Sequence, residues 1–148
     1  MLRTVVVLGT LLLGVGAVAA QQDQVAKTQL AMKSNGKNAG ALSAMAKGEK
    51  PYDQATVDAA LVALEEVAAK FPTLFPESIK GLKPEGDYYA SPKVWTDRAD
   101  FEAHAASFTK AVAEAKGKIK DLDTLKATLP TIGKQCGGCH ETYRVKNG

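Results

Sequence analysis

Residues 121–145 read Asp121-Leu122-Asp123-Thr124-Leu125-Lys126-Ala127-Thr128-Leu129-Pro130-Thr131-Ile132-Gly133-Lys134-Gln135-Cys136-Gly137-Gly138-Cys139-His140-Glu141-Thr142-Tyr143-Arg144-Val145. Leu125, Leu129, Ile132, Cys136, Cys139/His140 and Tyr143 recur at steps of four and three, the period of one face of an α-helix. The spacing predicts a helix that starts near Asp121 or Asp123 and runs to about Val145. Pro130 bends or tightens an early turn without ending it, because the apolar pattern continues past it. The stripe finishes in Cys136-x-x-Cys139-His140, the C-x-x-C-H signature of a covalently attached c-type haem. Each thiol can add to one haem vinyl group, and His140 can bind the iron from the proximal side. The chain has two cysteines, and both lie in this motif.

Two other chemistries use C-x-x-C. A redox dithiol would sit early in a βαβ unit, whereas this pair sits late in a helical pattern. A zinc site needs about four ligands, and only Cys136, Cys139, His140 and the distant His104 are on offer. On a helix the two cysteines and the histidine point to one side. That side continues the apolar stripe, so a haem there is wedged into the protein interior. Gly137 and Gly138 weaken the helix but leave the porphyrin edge uncrowded.

Upstream, three more segments carry helical periodicity. One runs from about Asp23 to Lys47, with Val25, Thr28, Met32, Asn35, Gly36, Ala39, Ser43 and Ala46 on one side. The next runs from about Gln54 to Phe71, with Asp53 as N-cap and Val57, Leu61, Leu64, Ala68 and Phe71 as its stripe. A third runs from about Thr96 to Lys120 on Phe101, Ala105, Phe108, Val112, Ala115 and Ile119. Residues 71–92 hold four of the six prolines and read as a long crossing loop that carries Leu74, Phe75 and Ile79 back onto the bundle. The fold class is all-α: an antiparallel four-helix bundle with covalently bound haem.

The N-terminus reads as an export signal over residues 1–20. It has Arg3 in the n-region, an apolar Val5–Val18 stretch broken by glycines, and Ala17-Val18-Ala19-Ala20 for cleavage before Gln21. The run is too short and glycine-rich for a membrane anchor, so no stable membrane insertion is expected. Residues 21–148 then form one domain. Export and C-x-x-C-H agree on a periplasmic location. The formal net charge of +3 falls to +2 when Arg3 is removed, which argues against bulk nucleic-acid binding.

The sixth iron position separates possible functions. An open or apolar face leaves five-coordinate iron that binds small gases, and a Met sulfur suits electron transfer. Met32, Met45, His104 and lysines are the candidates. Met32 lies among small residues that leave room for a flat macrocycle. Met45 is thirteen residues on, about 220° around the helix. Periodicity alone leaves Met32 open between ligand and core gap-filler, and His104 between ligand and half-exposed helix residue.

From residue 21 on, the chain resembles the class II c-type cytochromes, the cytochrome c-prime family. The resemblance rests on the C-terminal Cys136-Gly-Gly-Cys139-His140 followed by Glu-Thr-Tyr143-Arg144. It rests also on Lys47-Gly48-Glu49-Lys50-Pro51-Tyr52-Asp53 and on Ser91-Pro92-Lys93-Val94-Trp95. It is most similar to the low-spin c-556 subgroup, through Lys27-Thr28-Gln29-Leu30-Ala31-Met32-Lys33. The resemblance implies an up-down-up-down bundle and one haem c, with Met32 as distal and His140 as proximal iron ligand. High-spin members often carry an Arg one turn before the distal residue, where this chain has Thr28. Arg144 matches a basic family position near the proximal imidazole, and it also suits a helix C-terminus.

The expected function is periplasmic electron transfer. The alternative is a five-coordinate, high-spin protein that binds NO or CO. No acid, base or substrate-pocket constellation points to an enzyme. Lys116, Lys118, Lys120, Lys134, Arg144 and Lys146 read either as a solvated face with charges that suit helix C-termini or as a weak docking patch for an acidic redox partner. The chain is expected to be a monomer or homodimer.

Overall fold

The computed structural model describes residues 12–148. Four long helices build it: α1 (Leu12–Ala46), α2 (Gln54–Leu74), α4 (Arg98–Lys118) and α5 (Leu122–Tyr143). Between and after them lie a 3-10 turn (Glu77–Ile79), β1 (Tyr88–Ala90), the one-turn α3 (Lys93–Thr96) and β2 (Arg144–Lys146).

Local chemistry sets two of the helix starts. Asp53 is extended, and its carboxylate accepts the Thr56 backbone N–H at 2.8 Å. Asp121 does the same for Thr124, whose hydroxyl in turn accepts the Asp121 N–H at 3.0 Å. These reciprocal bonds satisfy donors that a helix start leaves unpaired. They hold both carboxyls below the usual carboxylate range, through the Thr56 hydroxyl foremost at Asp53 and the Thr124 backbone N–H foremost at Asp121.

The boundaries differ from the periodic stripes in four places. α1 begins at Leu12, not Asp23: the Leu- and Ala-rich residues before Asp23 are good helix formers, and no breaker separates them from it. Most of the export-signal segment, residues 1–11, lies outside the described residues. α2 runs through Pro72 to Leu74 because Leu74 and Phe75 are buried. Its last carbonyls also find donors across the bundle: the Thr28 hydroxyl donates to Leu74 O at 2.5 Å, and the Gln24 amide to Thr73 O at 2.9 Å. α4 starts after a break at Asp97, preceded by α3, whose Val94 and Trp95 are buried. α5 stops at Tyr143, not Val145, because the next residues pair in an antiparallel ladder with β1: Tyr88 with Lys146, Tyr89 with Val145, Ala90 with Arg144. Pro130 stands inside α5 without ending it, as expected.

The order is up-down-up-down. The α1 bonds to Thr73 and Leu74 place the N-terminal half of α1 beside the end of α2. Phe71 on α2 stacks with Phe101 and Phe108 on α4 at 6.1 Å between centroids. Phe101 meets Tyr143 of α5 edge-on at 5.1 Å. One end of the bundle therefore gathers the start of α1, the end of α2, the start of α4 and the end of α5. The aromatic cluster fills that end, and Leu42, Leu61, Leu64, Ile119 and Leu125 fill the other, all at most 1% exposed. Leu42 and Met45 sit in this core rather than on an outer face of α1, while Leu30 is 64% exposed.

Candidate haem site

A cavity of about 500 Å³ lies between α1 and α5, lined by Ala39, Ser43 and Ala46 on one side and Leu129, Ile132 and Cys136 on the other. The small-residue stripe of α1 thus faces the apolar stripe of α5, and the volume lies in the range of cofactor pockets. A Cβ built on Gly36, Gly40, Gly133 or Gly137 would meet nothing within 4 Å, so open space flanks the groove on both helices. The interior edge that this space exposes carries the half-buried Cys136 and Cys139. A mostly apolar slot with the Cys136 thiol on its wall, and with Cys139 and His140 in the next turn of α5, fits a covalent haem.

The antiparallel register places the candidate ligands. Ala39 shares the cavity with Cys136. Seven residues earlier on α1, on the same face, is Met32, and seven residues later on α5 is Tyr143, with Cys139 and His140 in the intervening turns. By that register Met32 lies level with Tyr143 and Asn35 with His140, so Met32 and His140 are about three residues of helix rise, roughly 4.5 Å, apart along the bundle. Met32 is half-buried against the core. Thr28 is not part of the groove wall as expected, since its hydroxyl is spent on Gln24 O and Leu74 O at the bundle end. Met45 is 3% exposed within the core and does not line the cavity. His104 stands on α4, with Cε1 3.8 Å from where a Gly138 Cβ would be, so Gly138 faces α4 and only Gly137 borders the groove.

Burial pushes up both thiols, with Cys139 raised to about 11, helped by Cys136 and Asp100. A redox dithiol needs the opposite shift, and a protonated thiol is the form that adds across a vinyl double bond. Among the described residues no three His, Cys, Asp or Glu side chains converge as a metal site. His140 is shifted down, by burial first and by the Arg144 charge second. That direction favours the neutral imidazole at pH 7, the form that can bind iron.

Behind the motif lies a polar cluster with no local sequence signal. The Tyr143 hydroxyl donates to Asp100 Oδ2 at 2.5 Å, the same oxygen lies 3.5 Å from His104 Nε2, and the His104 ring meets Tyr143 edge-on at 5.7 Å. Burial, then the Asp100 bond, raises the Tyr143 phenol. The cluster clamps the C-terminal turn of α5, and with it His140, onto α4.

A four-helix bundle with a C-terminal C-x-x-C-H facing an apolar groove defines a class II c-type haem protein. Residues 23–144 match the family described as Cytochrome C'. Cytochrome c-556 of Rhodopseudomonas palustris is 60% identical across 100% of both chains. Cytochrome c' of the same organism is 37% identical over 98% of this chain and 97% of its own. The NMR-validated structure of oxidised R. palustris cytochrome c556 superposes with a TM-score of 0.76 at 59% identity, covering 86% of this chain and 99% of that one. The chain belongs to the cytochrome c' family and is an electron-carrying haem protein with one covalent haem c.

Proposed function

We propose that the protein is a periplasmic electron carrier whose haem is tethered by Cys136 and Cys139 and ligated by His140 and Met32. The observation that carries this reading is the register across the groove, which brings Met32 within about one helical turn of His140 along the bundle, on the α1 stripe that lines the groove at Ala39, Ser43 and Ala46. The bound haem supplies the Fe(II)/Fe(III) couple. The chain's part is to hold two neutral ligands in place on packed helices, which keeps reorganisation small, and to exclude water. Removal of residues 1–20 fits the fold: residues 16–20 are exposed, and Gln21 is tied to the loop after α2, its amide donating to Ser78 O at 2.7 Å. No helix among the described residues is long and apolar enough to cross a membrane.

The competing reading is a five-coordinate haem that takes NO or CO, favoured by the 37% identity to a cytochrome c'. Optical spectra of the reduced protein with and without CO separate the two. The carrier is expected to be low-spin and slow to bind CO at neutral pH. Ready CO binding to a high-spin haem would sink it.

The partner is expected to be an acidic redox protein, and the charges not paired within the chain favour one place for it. Lys116 is ion-paired with Glu65, and Lys118 lies 3.3 Å from Glu114, so those charges are met within the chain. Arg144 and Lys146 are exposed on one face of β2, and the Arg144 guanidinium lies 4.3 Å over the Tyr88 ring. Arg144 is one turn from His140. Oxidation of the reduced protein by the trianion hexacyanoferrate(III) at low salt is expected to slow severalfold in Arg144→Gln/Lys146→Gln. Lys116→Gln/Lys118→Gln removes the same formal charge and should have less effect. Equal slowing in both would mean that net charge alone is felt.

A further inference from the structure

We propose that Asn35 is a positioning residue of the distal face, its side-chain amide donating a hydrogen bond to the Met32 sulfur. This rests on Met32 being the sixth ligand.

Asn35 Oδ1 is buried with no hydrogen-bond partner, the only side-chain nitrogen or oxygen in that condition among the described residues. Three other polar side chains of α1 have found partners. Thr28 bonds Gln24 O and Leu74 O, Gln24 bonds Thr73 O, and the Asn38 amide donates to Ser34 O at 2.8 Å. Asn38, three residues on, shows how an asparagine on this helix satisfies itself locally, and Asn35 does not do so. An unpaired buried polar atom is destabilising, and an apolar residue of the same size would remove the penalty. The amide therefore points to a partner that the polypeptide alone does not present.

Geometry names that partner. Asn35 follows Met32 by three residues, so the two Cβ atoms are about 5–6 Å apart on one face of α1. Four residues further, Ala39 lines the groove. Rotation of the amide about χ2 exchanges the oxygen for the NH₂ group, a donor. A thioether bound to iron through one lone pair keeps a second, which is a weak acceptor. A hydrogen bond there fixes the direction of the sulfur and draws electron density from it, which favours Fe(II) and keeps the ligand on the iron.

The test uses haem-loaded protein and two substitutions with opposite packing effects, Asn35→Leu, which fills the site, and Asn35→Ala, which opens it. Both lack the donor. In each, the spectrum should stay low-spin, the midpoint potential should fall, and CO binding to the ferrous protein, which requires Met32 to leave, should quicken by about 3- to 10-fold, the factor of one hydrogen bond. Opposite changes that follow side-chain volume, or no change in either, would overturn the role of Asn35 while leaving the Met32 axis standing. A parent protein that is already high-spin overturns the axis and this bond with it.

Discussion

Met32→Ala is expected to turn a low-spin haem into a high-spin one and to open the iron to CO. The side chain sits three residues before a buried unpaired amide and seven before Ala39, which lines the groove opposite Cys136. Met45 is in the core, and His104 is held on α4 near Asp100. Lys33, the neighbouring α1 residue with a donor atom, is exposed. The effect on ligand affinity follows from competition. If Met32 is off the iron in about 1% of molecules, the parent's apparent CO affinity is about 100-fold below that of the variant, which has no internal competitor. Packing is a separate matter. Met32 is half-buried, so truncation costs about 1–2 kcal/mol, the low end for apolar deletions. Met32→Leu keeps most of the volume and lacks the sulfur, so it should be as stable as the parent yet high-spin like the alanine variant. An unchanged spectrum in both would show Met32 to be packing only.

What could be read in the sequence followed the range of the interactions. Asp121 and the stripe from Leu125 to Tyr143 act within a few residues, and both appear where periodicity and capping put them. The groove was legible because two such stripes, each locally patterned, must face each other in an antiparallel bundle. The β1–β2 ladder was not, since Tyr88-Tyr89-Ala90 is too short to show alternation and its partner lies more than fifty residues away. Nor was the Tyr143–Asp100 bond, which joins α5 to α4 through two residues with no pattern in common. Thr28 misled for the same reason: it lies on the small-residue stripe, and only the position of Leu74 O shows that its hydroxyl is already used. Met32 is the intermediate case. Periodicity put it on the stripe that holds Ala39, and its height on the bundle relative to α5 needed the pairing of Ala39 with Cys136.

Cys136→Ser/Cys139→Ser is expected to yield protein from which acid-acetone extracts all haem, and whose α1–α5 seam is no longer native without added haem. In the parent, each thiol adds across one vinyl group, sulfur bonding to the inner carbon and the thiol hydrogen going to the terminal carbon, with no net oxidation. A serine hydroxyl is too weak a nucleophile for this. The tether matters because it makes occupancy independent of free haem, whereas an untethered group stabilises the fold only through its concentration and affinity. The groove sets the scale. At about 24 cal/mol per Å³, an unfilled enclosed cavity of about 500 Å³ would cost about 12 kcal/mol, as much as the whole stability of a typical domain. The groove is open along one side, so that figure is a ceiling, but a fraction of it suffices to melt the seam. The loss should be uneven. The aromatic cluster of Phe71, Phe75, Phe101 and Phe108 lies on α2, α4 and the turn between them and does not depend on the groove. Hydrogen exchange is therefore expected to quicken first along residues 32–46 and 129–140, with α2 and α4 protected longest. If the double variant kept the parental Tm with no haem present, the space between Ala39 and Cys136 would not be the haem's.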